Sequence, residues 1–226
     1  MVSGKIALRG VLALTLLFAV TALGTPVYNT PVDSGSWTGS RTVGSGLGSL
    51  NGSKFPNGSG ISWVITDNGN GTLTYTYSFF GATGGPLELS HFILELSPGC
   101  IVEGQSNCVS GYEGDVEFNS QWDNSIGNSN PGMPAPIYGV KFDDALSSYS
   151  FISNRLPVWG NFYAKKGQDG MWNLGLTGDS AYLENTLYYV PRPDTDAQIP
   201  PEIPEPGTLT LLGLGLAAVG LRRARR

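Results

Sequence analysis

Residues that could perform catalysis are few in this chain and far apart in sequence. His91 is the single histidine, so a histidine-based metal site lacks a second ligand of this type. A Ser-His-Asp triad would depend entirely on His91, and no serine stands in the Gly-x-Ser-x-Gly turn of a nucleophile elbow. Ser90 and Phe92 flank His91 in a run with strand character, which favours a structural histidine.

Paired carboxylates offer a second route to chemistry, because glycoside hydrolases use two of them. Asp115 and Glu117 lie two residues apart, so both side chains would point to one face of a strand. Acidic residues on exposed strand faces are common, and a sequence does not show a cleft between them. We therefore predict a protein without catalytic residues and without a cofactor, and hydrolysis is the less favoured alternative.

The segment Asp67-Asn-Gly-Asn-Gly71 presents carboxylate and amide oxygens, which are the ligands that calcium prefers. It contains one carboxylate and lacks the acidic residue that closes an EF-hand loop. Asn and Gly also tolerate the positive φ angles of a hairpin turn. The pattern therefore predicts a turn and no metal site, with calcium binding as the alternative.

Cys100 and Cys108 are the only two cysteines. In an oxidising compartment the default for such a pair is a disulfide, which here would close a small polar loop. A pair of metal ligands is the alternative, but no histidine or third cysteine lies nearby. We predict a disulfide with a structural role.

Five tryptophans and ten tyrosines could fill a core or form a platform that stacks on sugar rings. Trp63, Trp159 and Trp172 lie in predicted strands and are expected in the core. Trp122 lies in an Asn-rich loop after a predicted strand, so it is the candidate for carbohydrate contact. A β-sandwich module that binds exopolysaccharide is thus the alternative to a body with no ligand.

Composition indicates which elements position these residues. Gly, Ser, Asn, Thr and aromatic residues dominate, a mixture that disfavours long helices and favours short strands joined by tight turns. The net charge is −5, and six of the 13 basic residues lie near the two termini, so no basic stripe exists and nucleic-acid binding is not expected. We predict an all-β fold, a single antiparallel β-sandwich or jelly-roll-like domain over residues 25–190.

A hairpin is the clearest predicted element. Residues 61–66 and 72–80 flank the Asn/Gly turn, and in the second arm large apolar side chains alternate with hydroxylated ones. Alternation of this kind predicts one buried aromatic face and one hydroxylated face exposed to water. Further strands are predicted at residues 37–43, 89–96, 112–118, 137–142, 149–153, 158–164, 171–176 and 186–190, with a mobile Gly/Ser-rich loop between the first of these and residue 60.

The N-terminus has the order of a secretory signal peptide. Lys5 and Arg9 precede an apolar stretch of about ten residues, and small residues follow it. We predict a signal peptide over residues 1–24 that uses the Sec translocon and is cut by signal peptidase between Gly24 and Thr25. A retained membrane helix is the alternative, but the apolar stretch is short for one.

The C-terminus has three parts in a specific order. Pro204, Glu205 and Pro206 form a rigid motif, residues 207–221 form an apolar segment, and Arg222, Arg223, Arg225 and Arg226 end the chain. Arginines beside a membrane segment resist translocation and stay on the cytoplasmic side. A permanent anchor and a buried core helix are the alternatives, although about 20 apolar residues are needed to span a bilayer core. Residues 191–202 before the motif are proline-rich and acidic, so we predict an extended linker.

This tail resembles the PEP-CTERM sorting signal of Gram-negative bacteria. The resemblance covers residues 203–226 and implies export, transient residence of a short transmembrane helix in the inner membrane, and processing by exosortase, a membrane protease. It also implies delivery to the cell surface or extracellular matrix. The run Trp159-Gly-Asn-Phe-Tyr-Ala-Lys165 looks similar to a stretch in a subgroup of such proteins that has no known activity to transfer.

Overall fold

The computed structural model describes residues 26–125 and 130–198, which consist mainly of β strands. The strands are β1 Thr38–Val43, β2 Gly46–Ser49, β3 Gly60–Asp67, β4 Leu73–Phe80, β5 His91–Glu95, β6 Ile101–Val102, β7 Gln105–Ser106, β8 Val116–Trp122, β9 Ile137–Phe142, β10 Ser148–Ser153, β11 Arg155–Gly160, β12 Phe162–Lys166, β13 Asp169–Asn173 and β14 Val190–Gln198. Short 3₁₀ turns lie at Ser34–Ser36, Pro98–Cys100, Leu174–Thr177, Ser180–Tyr182 and Thr186–Tyr188. The predicted all-β class is therefore confirmed.

Ten of these strands form one sheet in the order β10-β4-β3-β1-β2-β13-β12-β5-β9-β8. The sheet curls, so strands that are distant in this order face each other across the core. Phe79 of β4 lies 5.1 Å from Phe92 of β5, and Phe142 of β9 lies 6.0 Å from Phe151 of β10, between ring centroids. The core is thus enclosed by one curled sheet, whereas the sequence predicted an antiparallel sandwich.

The predicted hairpin is confirmed. β3 and β4 pair antiparallel over their full lengths, with Val64 opposite Thr76. Leu73, Tyr75, Tyr77 and Phe79 are each at most 2% exposed, and the hydroxylated residues between them point outward. The period of two in the sequence thus specified which face is buried.

One strand pair is parallel, which corrects the prediction of an antiparallel sheet. β2 follows β1 after two residues and pairs with it at Thr42–Gly46 and Val43–Leu47. Gly46 has φ +91°, and a Cβ at this position would lie 2.3 Å from the carbonyl oxygen of Leu187. Only glycine fits this corner, where the chain changes direction.

The Gly/Ser-rich region 44–60, predicted to be a mobile loop, packs against the rest of the fold. It contains β2, and it places Phe55 in the core with no exposed surface. The Asp169 carboxylate accepts hydrogen bonds from Ser53 Oγ at 2.6 Å and from the Lys54 amide at 2.7 Å. These bonds lower the pKa of Asp169 and hold the region against β13.

Several strand boundaries also differ from the prediction. The strand predicted over 158–164 is split at Asn161, because β11 pairs with β14 whereas β12 joins the large sheet. The strand predicted over 112–118 begins at Val116 and continues to Trp122. Residues Thr186–Tyr188 form a 3₁₀ turn instead of a strand.

The predicted linker over 191–202 is wrong for its first eight residues. They belong to β14, which pairs antiparallel with β11 through Pro191–Trp159 and Pro193–Pro157. Proline lacks an N–H group and is tolerated in an edge strand. The proline-rich sequence therefore forms an edge strand here and not an extended linker.

The cysteines form the predicted disulfide. Cys100 and Cys108 are buried, joined, and 5.4 Å apart between Cα atoms. They close a small hairpin made of β6 and β7, whose turn has Glu103 and Gly104 at positive φ.

Among the residues that the structure describes, no helix has the length and apolar character needed to cross a membrane. The predicted signal peptide with its cleavage site at Gly24 and Thr25 lies outside these residues. The predicted motif Pro204–Pro206, the apolar segment 207–221 and the terminal arginines also lie outside them.

Candidate functional site

Trp122, predicted to lie in an Asn-rich loop and named as the candidate for carbohydrate contact, is a core residue at the end of β8. It ends β8 opposite Ile137 of β9, and only 5% of its surface is exposed. Its Nε1 donates a hydrogen bond to the carbonyl oxygen of Gly139 at 3.1 Å, and Lys141 Nζ lies 5.0 Å from the ring centroid. The indole packs in a small second core on the outer side of the sheet with Ile93. The prediction of carbohydrate contact at Trp122 is therefore wrong.

The other tryptophans do not form an exposed platform either. Trp63 and Trp159 are buried, as predicted, and their rings meet edge to face at 6.4 Å between centroids. Trp37 and Trp172 are partly buried against the cores. A stacking platform would need coplanar exposed rings, and these five side chains do not provide one.

His91 lies on the outer side of β5 and is 7% exposed. Its Nε2 lies 2.8 Å from Asn130 Oδ1, and Asn130 Nδ2 donates to the carbonyl oxygen of Asp123, so Nε2 is the donor in the contact with Asn130. Its Nδ1 lies 3.9 Å from Asp143 Oδ1. Burial lowers the pKa of His91 to about 4, so the ring is neutral at neutral pH. These are the surroundings of a structural histidine.

Acidification should therefore destabilise the fold through His91. An unfolded histidine binds its proton near pH 6.5, whereas folded His91 binds it near pH 4, so only the unfolded state gains a proton in between. Besides Asn130 and Asp143, the charged groups near the ring are Lys141 and Lys165. Between pH 6.5 and 4 the wild-type unfolding free energy should fall by about 1 kcal/mol per pH unit more than that of His91→Gln. Denaturant titrations of both proteins across this range measure the difference, and parallel curves would contradict the prediction.

Asp115 and Glu117, the carboxylates of the less favoured hydrolase alternative, lie directly before β8 and within it. Glu117 of β8 forms an ion pair with Lys141 of β9 at 3.3 Å, and Lys141 also pairs with Asp143, which directly follows β9. Asp115 donates its amide to a carboxylate oxygen of Asp144 at 2.7 Å. The Glu117 carboxylate thus takes part in a contact between β8 and β9.

The side-chain oxygens of Asp67 and Asn70 accept hydrogen bonds from groups of the same turn. Asp67 Oδ1 accepts a hydrogen bond from the Gly69 amide at 2.8 Å, and Asn70 Oδ1 accepts one from the Thr72 hydroxyl at 2.6 Å. Across residues 26–125 and 130–198, no three His, Cys, Asp or Glu side chains come together as metal ligands.

One face of the body consists mainly of residues with hydroxyl groups. It lies on the outer side of β10, β4, β3 and β1, four neighbouring strands of the sheet. We call it the hydroxyl face, and its members are Thr38, Ser40, Thr42, Ser62, Thr66, Thr74, Thr76, Ser78, Ser148 and Ser150. All of these residues are exposed or partly exposed.

The strand register arranges these hydroxyl groups in rows. Ser40, Ser62, Ser78 and Ser148 are opposite one another on the four strands and form one row. Within this row the hydroxyl oxygens of Ser78 and Ser148 are 3.0 Å apart. In the next row the Thr76 and Ser150 oxygens are 3.1 Å apart. The alternation in β4 predicted part of this face, but no local pattern shows that three other strands extend it.

A second feature is a buried ionic cluster that sequence reasoning missed. Arg192 of β14 is 2% exposed, and it donates hydrogen bonds to Ser97 Oγ at 2.6 Å and to Asn29 Oδ1 at 2.7 Å. Its guanidinium lies 3.8 Å from Glu95, which accepts a hydrogen bond from Tyr28. Burial and the charge of Glu95 raise the pKa of Tyr28. The cluster borders a cavity of about 370 Å³ and fastens the N-terminal segment to β14.

The Trp159–Lys165 run helps to build this cluster. Trp159 and Phe162 are buried in the core. Gly160 lies against Arg192, and a Cβ at this position would lie 2.4 Å from the arginine Nε. The glycine therefore leaves the space that the buried arginine fills, and the run has a structural role.

These observations describe a β-sheet body in which His91 and Glu117 make contacts within the fold. Residues 202–226, which follow this body, match the family model described as the PEP-CTERM protein-sorting motif. The chain thus carries the sorting motif that its tail resembled, and the motif indicates an exported protein that is targeted to exosortase and passes through the membrane before surface display. No curated protein and no solved structure matches the chain.

Proposed function

We propose that the protein is an exported, non-catalytic component of the cell surface or extracellular matrix whose tail is processed by exosortase. The observation that carries this proposal is the match of residues 202–226 to the sorting motif. The body supports the non-catalytic part, because His91 and Glu117 are engaged in structural contacts.

The steps of maturation follow the chain from one end to the other. The Sec translocon exports the chain, and signal peptidase cuts between Gly24 and Thr25. The segment 207–221 then resides transiently in the inner membrane. The motif Pro204-Glu205-Pro206 faces the exported side, and the four terminal arginines, Arg222, Arg223, Arg225 and Arg226, hold the end of the tail in the cytoplasm.

The folded body extends to Gln198, so only residues 199–203 separate β14 from the motif. At no more than about 3.6 Å per residue, the six steps from Gln198 to Pro204 span at most roughly 20 Å. Exosortase therefore acts close to the folded body, and not at the end of the longer linker that the sequence predicted.

Replacing Glu205 with glutamine tests the processing step. Export should remain intact because the N-terminal signal drives it, whereas the tail should stay attached because the processing motif has lost its charge. The C-terminal mass of the protein recovered from the cell surface or medium measures the outcome. Glu202→Gln, which makes the same change outside the Pro-Glu-Pro motif, serves as the control and should be processed normally. If the wild-type protein itself still ends at Arg226, the proposal fails and a permanent anchor takes its place.

A carbohydrate-binding role at the exported location is the second candidate function. The burial of Trp122 removes the residue on which the sequence placed this role. The hydroxyl face favours it instead, since ten hydroxyl groups on four adjacent strands can donate and accept hydrogen bonds with sugar hydroxyls.

A further inference from the structure

The hydroxyl face lacks charged side chains. Four neighbouring strands contribute fourteen outward positions, at 38–42, 60–66, 74–80 and 148–152, and ten carry hydroxyl groups. The other four are Gly60, Val64, Phe80 and Ile152. Charged residues make up 14% of the chain, so about two would be expected among fourteen positions. On the outer side of β5, β9 and β12, by contrast, His91, Lys141 and Lys165 provide ionisable groups. Charge is thus specifically missing from the hydroxyl face.

The body around this face is strongly acidic. Residues 25–198 contain seven basic and sixteen acidic side chains, a formal net charge of −9. A polyanion would be repelled by this charge, and so would a second copy of the chain. A neutral partner would meet no such repulsion and would need no counter-charge on the face.

The spacing on the face repeats in two directions. Neighbouring strands lie about 4.7–4.9 Å apart, and successive outward residues along one strand lie about 6.5–7 Å apart. The row that contains Ser40 and Ser148 crosses four strands, and the row that contains Thr38 and Ser150 runs beside it. A polymer with regularly repeated hydroxyl groups can therefore make the same contact several times.

Apolar contacts complement the hydroxyl groups. Val64 lies between Thr38 and Thr76 in the second row and is 45% exposed. Phe80 lies beyond Ser78 on the same face, with its ring against Gly60. Sugar rings present hydroxyl groups together with C–H surfaces, so a face of hydroxyls with interspersed apolar side chains matches both.

We propose that the hydroxyl face binds a neutral, extended polysaccharide. The proposal deepens the carbohydrate-binding candidate and rests on the exported location in the proposed function. Single hydroxyl contacts are weak because each replaces hydrogen bonds to water. Binding strength therefore comes from repetition along the polymer, and short oligosaccharides bind less tightly than long ones.

The test uses the full exported protein, purified, with microcrystalline cellulose as the neutral probe and cross-linked alginate as the anionic probe. Depletion of the protein from solution at about 0.15 M salt, where surface charges are screened beyond about 8 Å, measures binding. The double variant Thr74→Val/Thr76→Val removes two central hydroxyl groups and keeps residues that favour strands. We expect it to bind cellulose about tenfold less tightly than the wild type. Thr186→Val, an exposed threonine outside the face, should bind like the wild type, and all three proteins should unfold at similar temperatures.

Four outcomes would overturn the proposal. The first is equal cellulose binding by the wild type and the double variant, and the second is tighter binding to alginate than to cellulose. The third is that the wild type binds neither cellulose nor an insoluble β-1,3-glucan, which serves as a second neutral probe. The fourth is a wild-type dimer in sedimentation experiments that the double variant does not form. The last would make a second copy the occupant of the face. Because the assay uses purified protein, its result is independent of tail processing, and the C-terminal mass experiment is likewise independent of the hydroxyl face.

Discussion

Replacing Tyr75 with alanine is expected to lower the free energy of unfolding by about 3–5 kcal/mol, the range for a buried large aromatic residue. Tyr75 has no exposed surface, and its ring stacks on Phe151 at 5.3 Å between centroids. Its hydroxyl donates a hydrogen bond to the carbonyl oxygen of Arg155 at 2.8 Å. The substitution removes the packing, leaves a cavity between β4 and β10, and deprives a carbonyl of its donor. Denaturant unfolding monitored by circular dichroism measures the loss.

Thr76→Ala provides the matched control, because Thr76 is the next residue of β4 and points to the opposite face. It contacts Ser150 on the solvent side, so its loss should cost about 1 kcal/mol or less. Equal and small losses at the two positions would show that the burial assignment of β4 is wrong.

Arg192→Met should produce a loss of similar size, about 3–5 kcal/mol, for an electrostatic reason. Methionine fills much of the same volume but leaves Glu95 without its cationic neighbour. It also leaves Ser97 and Asn29 without the donor that now holds them. An isolated charge in a buried setting is expensive, which makes the loss of one partner worse than the loss of both.

The double variant Arg192→Met/Glu95→Gln tests this explanation. If the unpaired charge of Glu95 causes most of the loss, the double variant should be more stable than Arg192→Met alone. Arg155→Met makes the same substitution at a partly buried arginine of β11 and should cost less than about 1 kcal/mol. A loss at Arg192 no larger than that at Arg155 would contradict a stabilising role for the cluster.

The buried arginine also connects the N-terminal segment of the body with strand β14. β14 is the last strand that the structure describes, and Arg192 fastens it to Glu95 and to Asn29. The segment around Asn29 and strand β14 are therefore held at the same part of the body. Backbone hydrogen bonds add to this fastening, since β14 pairs with β11 and the Asn29 amide donates to the carbonyl oxygen of Trp159.

Features that depend on local order were predictable from the sequence alone. The alternation of Leu73, Tyr75, Tyr77 and Phe79 specified the buried face of β4, because side chains of a strand alternate between two sides. The order of motif, apolar segment and arginines in the tail indicated the sorting motif, because these parts act in linear order along the chain. The pairing of Cys100 with Cys108 followed because the chain has no other cysteines.

Features that depend on distant partners were decided only by the tertiary structure. Trp122 is buried because Ile93 of β5, 29 residues earlier in the chain, packs against it in the second core. The proline-rich run after Val190 is a strand because β11 lies beside it. The hydroxyl face exists because β1, β3, β4 and β10 align in one register, although β4 and β10 are far apart in sequence. Burial and strand pairing depend on what approaches from elsewhere in the chain, and a period of two residues carries no information about that partner.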